Sequence, residues 1–160
     1  MRIAFIMPDD FSILLFAKRI IKALQRLPEA EVTALCSLGP YRQEVEALGI
    51  KTVHVGISRF FNPFLDLHYM FNLFLLLRKH RFDVVFNFST KPNIYGTIAA
   101  RLAGVRMIIS HVVGLGAAFA PGKSLTGNLL TESFLGLYRI ACRLSDKVWF
   151  TNPKIGRAHV

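Results

Sequence analysis

The sequence predicts an α/β fold built on a doubly wound, mostly parallel sheet. Three observations carry that expectation. Short apolar runs of strand length alternate with segments of helical spacing along the chain. Short parallel strands require such crossovers, because a tight hairpin cannot join them. The chain has 160 residues, 52% hydrophobic and 19% charged, which is enough apolar material for one buried core and excludes disorder.

Each element follows in turn. Residues 2–7 are an apolar run closed by Pro8 and read as a buried first strand. Over residues 13–27, Ile13, Phe16, Ala17, Ile20, Leu24 and Leu27 recur at helical spacing. Ser12 is placed to cap that helix and Pro28 to stop it. Residues 31–35 alternate as a second strand. Residues 42–48 form a short helix ended by Gly49, a residue free to turn left-handed. Residues 51–55 are a third strand with Val53 and Val55 on one face. A connection over 56–63 leads to a long helix over 64–80. It finishes in Arg78, Lys79, His80 and Arg81, cations where the helix dipole favours them. Residues 83–88 are a fourth strand, 92–103 a helix of small residues ended by Gly104, and 106–112 a fifth strand. A last helix over 124–144 leads into a strand over 147–151.

Lys and Arg number 20 against 10 Asp and Glu, a net charge of +10. That balance favours anionic partners: nucleic acid, phosphorylated ligands or an acidic membrane face. Nucleic acid is disfavoured, because the cations are spread over several helices and aromatics do not alternate with them as stacking platforms. The N-terminal apolar run is short and ends in Pro8-Asp9-Asp10 without a small-residue cleavage site, unlike a signal peptide. No window reaches the ~18–20 uncharged residues of a spanning helix. The expectation is a cytoplasmic protein, peripheral on the inner face of the cytoplasmic membrane. Phenylalanine, 14 residues, sits beside cations: Phe16 precedes Lys18 and Arg19, and Phe60 and Phe61 follow Arg59. Apolar side chains next to cations suit an interface with anionic lipid; core packing is the alternative. The face expected to meet lipid is the first helix, with Lys18, Arg19, Lys22 and Arg26. Cys36 and Cys142 are too few for a disulfide scaffold, lack metal spacing and read as buried thiols.

Residues 1–153 read as one domain. Residues 154–160 continue no periodicity. Ile155-Gly156-Arg157-Ala158-His159-Val160 is what ATC-GGA-AGA-GCA-CAC-GTC encodes, the in-frame opening of a widely used sequencing adapter. That tail is expected to be non-native and the natural chain longer.

In doubly wound sheets, ligands gather beyond the carboxyl ends of the strands. The loop after the first strand places Asp10 there. It has no glycine, so the dinucleotide fingerprint is absent, which disfavours nicotinamide or flavin chemistry and with it an epimerase or reductase. After the fourth strand, Ser89, Thr90, Lys91 and Asn93 open a helix. Hydroxyls, a cation and first-turn N–H groups make a phosphate seat; a simple cap followed by a first-turn proline is the alternative. After the fifth strand, His111 is a candidate base, or a hydrogen-bonded strand histidine. Gly114 and Gly116 there let a backbone approach a ligand closely. No His, Cys or carboxylate group has metal-ligand spacing.

These residues form a set. Ser58-Arg59, Pro63, Asp66-Leu67, Leu76-Leu77-Arg78, Asp83-Val84-Val85, Thr90-Lys91-Pro92, Gly96, the alanine-rich run through Gly104 and Val105, and Gly114-Leu115-Gly116 resemble the N-terminal half of family 4 retaining glycosyltransferases. The nearest group acts on lipid-linked sugars in surface polysaccharide and glycan assembly. The resemblance covers about 1–153 and implies the Rossmann-like, acceptor-side lobe of a two-lobed GT-B enzyme. Such enzymes move a sugar from a nucleotide sugar to a lipid-linked or polysaccharide acceptor, lipopolysaccharide included, with retention at the anomeric carbon. It further implies no metal and no covalently bound cofactor, since helix N-termini and basic side chains hold the diphosphate. A donor lobe with paired glutamates is expected after Pro153, so the fragment alone is expected to be inactive. Acceptor contacts are expected on Asp10, Ser89, Thr90, Lys91, Asn93 and the Gly114–Gly116 turn, in the cleft above the first-, fourth- and fifth-strand loops. Many relatives carry His or Thr immediately before Gly-Leu-Gly; here that residue is Val113. His111 lies on the same face one step deeper, by ~6–7 Å, and is the candidate catalytic residue. The alternative to an enzyme is a non-catalytic Rossmann-like module that binds an anionic ligand.

Overall fold

The structure is a computed structural model that describes residues 1–113 and 126–151, with side chains for all of these except 126–134. The expected Gly114, Gly116 and tail 154–160 lie outside the described residues. Strands β1 (Arg2–Asp9), β2 (Glu31–Ser37), β3 (Lys51–His54), β4 (Val84–Phe88), β5 (Met107–Val112) and β6 (Lys147–Phe150) form one sheet. Their order is β3-β2-β1-β4-β5-β6, and every neighbouring pair is parallel. The connections are α1 (Asp10–Ser12), a π-helical turn (Ile13–Ala17) and α2 (Lys18–Leu24), then α3 (Arg42–Glu46) and α4 (Pro63–His80). A second π-helical turn (Pro92–Gly96) runs into α5 (Thr97–Leu102), and α6 (Thr126–Leu144) precedes β6. The doubly wound expectation holds.

Strand alternation sorts the core into two layers. Ala4, Ile6, Leu35, Val85, Ile108 and Val112 face Tyr69, Leu73 and Leu77 of α4, Ile94, Tyr95 and Ala99 of the next helix, and Tyr138 and Ala141 of α6. Ile3, Phe5, Met7, Val32, Ala34, Phe86 and Phe88 face the other way, onto Ile13, Ala17, Ile21 and Val45. Helices on both faces leave the central strands no solvated side, so these read as apolar runs. Phe5 and Phe86 stack across β1 and β4 with centroids 4.8 Å apart.

Several boundaries move, each for a local reason. β1 continues through Pro8 to Asp9, because its pairing with β2 is irregular between Ile6 and Asp9 and no ladder bond is asked of the proline. The first helix is capped by Asp9, whose Oδ1 accepts from the Ser12 amide at 2.7 Å; Ser12 is not the cap. It ends at Leu24 and is interrupted by the π turn. The long helix starts one residue early, at Pro63, with the Asn62 side chain accepting from the amides of Phe64 and Leu65. It stops at a left-handed Arg81, φ 50°. Gly49 and Gly104 carry φ of 75° and 77°, as their places as helix stops require.

Candidate functional site

The sheet winds outward from β1 to β3, then resumes on the other side with β4. The switch point therefore lies between the carboxyl ends of β1 and β4, the crevice where such sheets hold ligands. Its two walls are the chain leaving β1 at Asp9–Ser12 and the chain leaving β4 at Ser89–Asn93.

On the β1 side, Asp10 is buried, 2% exposed. Its carboxylate accepts from the amides of Phe11 at 2.9 Å, Gly39 at 2.6 Å and Tyr41 at 3.1 Å. It ties the exit of β1 to the loop after β2, and the contacts it makes are structural. On the β4 side, Ser89 has φ 75°, a left-handed conformation that costs a non-glycine residue energy and that bends the strand sharply into a helix. Its carbonyl accepts from the Asn93 amide at 2.9 Å. Ser89 and Thr90 are half-buried at the rim, where the first-turn N–H groups of any helix lack intrahelical acceptors. Asn93 is buried; its Nδ2 donates to the His111 carbonyl at 3.0 Å and to the Tyr138 hydroxyl at 3.1 Å, which knits this helix to β5 and α6. Its Oδ1 has no hydrogen-bond partner among the described residues.

Lys91 departs from the phosphate-seat expectation. An ammonium has three protons. Here they go to the carbonyls of Ser58 and Phe60, both at 2.8 Å, and to Asp66 Oδ1 at 2.5 Å. The pair is deeply set: the side chains are 11% and 1% exposed. Asp66 also accepts from the Asn62 amide and the Tyr95 hydroxyl. That hydroxyl is pushed up to about 12 by burial and, secondarily, by the Asp66 charge. Lys91 is thus the centre of a clamp between the helix after β4 and the start of α4. Sequence reasoning missed Asp66 as its partner. The signal was there: a lone carboxylate between Leu65 and Leu67 in an otherwise apolar helix start is buried only if something neutralises it.

His111 stands at the end of β5. Nε2 shares a hydrogen bond with the Thr151 hydroxyl at 2.9 Å, and Nδ1 is buried without a partner among the described residues. The ring meets Phe88 edge-on at 4.7 Å and Trp149 at 6.1 Å. Burial holds its pKa below the ordinary value, so the imidazole is neutral at pH 7. Beneath the rim, Asn87 Nδ2 donates to Thr97 Oγ1 at 3.0 Å, which in turn meets Ser110. A Cβ at Gly96 would come within 2.4 Å of Asn87 Oδ1, so only glycine lets this helix lie so close to β4.

Among the described residues, two hollows lie away from the switch point. One, of about 210 Å³, sits at the amino edge of the sheet among Arg2, Lys51, Lys79 and His80. The other, of about 450 Å³, runs along α6 and β6 beside Tyr138, Arg139 and Arg143. Among the described residues, no three His, Cys, Asp or Glu side chains converge on one point. The Cys36 thiol is pushed up to about 12, chiefly by burial, and is not a nucleophile.

Comparison with known proteins agrees with this architecture. The glycosyl transferase 4-like family model matches residues 2–152. An N,N'-diacetylbacillosaminyl-diphospho-undecaprenol alpha-1,3-N-acetylgalactosaminyltransferase of Campylobacter jejuni is 30% identical over 153 residues, covering 95% of this chain and 40% of its own length. A UDP-Gal:alpha-D-GlcNAc-diphosphoundecaprenol alpha-1,3-galactosyltransferase of Escherichia coli is 34% identical over 77 residues, 48% of this chain and 19% of its own length. Among solved structures, MurG of Acinetobacter baumannii superposes with a TM-score of 0.65 at 18% identity, over 95% of this chain and 41% of that one. A UDP-N-acetylglucosamine 2-epimerase of Listeria monocytogenes superposes with a TM-score of 0.68 at 15% identity, over 98% and 40%. At such identities the structural likeness speaks for the fold alone. The chain spans well under half the length of each of these proteins.

Proposed function

The chain belongs to the glycosyl transferase 4-like family, and we propose that it is the acceptor-side lobe of an enzyme that transfers a sugar from a nucleotide sugar to a lipid-linked or polysaccharide acceptor, with retention. The observation that carries this reading is the family match over residues 2–152 on a sheet whose switch point opens between the Asp10 loop and the Ser89–Asn93 helix start. The names of the two curated relatives, both acting on diphospho-undecaprenol-linked sugars, support a lipid-borne acceptor. The acceptor diphosphate meets the free first-turn N–H groups and hydroxyls of Ser89 and Thr90. The Lys91 ammonium lies behind that turn, neutralised by Asp66, and holds the helix start in place rather than contacting the diphosphate. His111 stands at the rim with Nε2 on the Thr151 hydroxyl and Nδ1 enclosed, so it meets the acceptor hydroxyl through Nε2 by exchanging that hydrogen bond. No metal is required: the donor diphosphate is held by helix N-termini and cations of a second lobe with paired glutamates.

The site of action is the cytoplasmic face of the membrane. No helix among the described residues is long and apolar enough to cross a membrane, and the reading has this lobe meet the surface peripherally. The test is transfer itself. The chain joined to its donor lobe is incubated with labelled nucleotide sugars and a membrane extract. Label appearing in the lipid fraction is the expected result. Label that remains with the nucleotide, for every sugar supplied, overturns the reading.

A further inference from the structure

At the carboxyl end of the sheet two exposed aromatic rings meet. Phe11 follows the exit of β1 and Tyr41 follows the exit of β2. They are 49% and 39% exposed, with ring centroids 5.2 Å apart and planes tilted by 45°. The rings cover each other in part and turn the remainder to solvent. Local structure calls for neither. α1 buries Asp10, not Phe11, and the helices below turn Ile13 and Val45 toward the sheet. Tyr41 stands at the N-cap of α3, yet its side chain makes no capping bond.

The pair is held from beneath by Asp10. Two of the amides on its buried carboxylate belong to Phe11 and Tyr41 themselves, at 2.9 and 3.1 Å. A buried carboxylate is costly unless such bonds satisfy it. Both aromatic residues therefore hang from one fixed group and keep their places without a hydrophobic bed. A ligand that settles on rings already in position pays little for ordering them.

The pair also stands beside the switch point. Ile6 pairs with Asn87 and Asp9 with Ser37, so the chains leaving β2, β1 and β4 emerge level with one another. Neighbouring exits are one strand spacing apart, about 4.8 Å. The acceptor diphosphate proposed above meets Ser89 and Thr90, and the sugar joined to it has Phe11 as its neighbour one strand away. The chemistry of the rings matches a sugar rather than an anion. An aromatic face is negative. It repels phosphate and attracts the weakly positive C–H groups that line one face of a pyranose. The sugar's hydroxyls stay in water at a half-exposed platform.

We infer that Phe11 and Tyr41 form a stacking platform for the acceptor's sugar ring, so that the loop after β2 takes part in recognising it. The inference rests on the lipid-linked acceptor proposed above and adds the side chains that read its sugar.

The experiment compares two probes on the full chain by isothermal titration calorimetry. One is farnesyl diphosphate carrying N-acetylglucosamine on its second phosphate. The other carries a methyl group there, so the two have the same charge. The native chain is expected to bind the sugar probe about fivefold more tightly, the scale of one good aromatic contact. Phe11→Ala and Tyr41→Ala, which keep the native circular dichroism spectrum, are each expected to remove most of that difference while the methyl probe binds as before. Tyr41→Phe keeps the ring and is expected to keep the difference. Equal binding of both probes by the native chain overturns the platform and leaves the lipid diphosphate reading standing. No binding of either probe overturns both. Alanine variants that weaken both probes equally also overturn the platform, because the rings would then hold the prenyl chain or the fold. Alanine variants that change nothing do the same.

Discussion

His111 folds into a setting that resists its proton. Its Nδ1 is enclosed without a partner among the described residues, and burial lowers its pKa below the ordinary 6.5. The unfolded chain takes up the proton as pH falls through 6.5, while the folded chain does so only at lower pH. Between those values the unfolded state binds more protons, so stability falls with acidification. Above 6.5 the residue is neutral in both states and contributes no slope. Denaturant titrations at pH 7 and pH 5 are therefore expected to show a larger loss for the native chain than for His111→Gln; equal losses would mean the ring is freely solvated. The sequence showed His111 as a strand histidine facing the ligand edge, because strand parity is readable. It could not show the ring wedged between Phe88 and Trp149, since Trp149 lies 38 residues further along.

Elements were legible where they rest on periodicity. The helices over 13–27, 64–80 and 92–103 all appear near their expected places because burial spacing dictates them. The two π turns, Ile13–Ala17 and Pro92–Gly96, have no such signature. Both interrupt helices that leave the switch point, where π turns often occur. Least legible was the pairing between elements. Lys91 reads in sequence as a cation at a helix start, where the dipole opposes it; in the fold it is stabilised by Asp66 of α4 and by two carbonyls of the preceding loop. Because the pair is buried, removing one member leaves an uncompensated charge. Lys91→Met is expected to cost about 3–5 kcal/mol in denaturant unfolding, and adding Asp66→Asn to recover part of it. A single-variant cost below about 1 kcal/mol would show the clamp open in solution.

At the scale of the whole molecule, the strand order decides where a ligand sits. Because β1 and β4 are neighbours and their crossovers leave toward opposite faces, the topology places the switch point between their carboxyl ends. The fold class was plain from the alternation of strands and helices. The chemistry was less so, because the same lobe superposes on MurG and on a UDP-N-acetylglucosamine 2-epimerase alike; family membership, not shape, favours transfer. The most direct test maps the acceptor onto the lobe. Titrating the isotope-labelled chain with a water-soluble, short-chain prenyl diphosphate sugar, and following backbone amides by two-dimensional NMR, is expected to shift Ser89, Thr90, Lys91, Asn93 and His111. Shifts confined to the cationic hollow of Arg2, Lys51 and Lys79, with the switch point silent at saturation, would contradict the account.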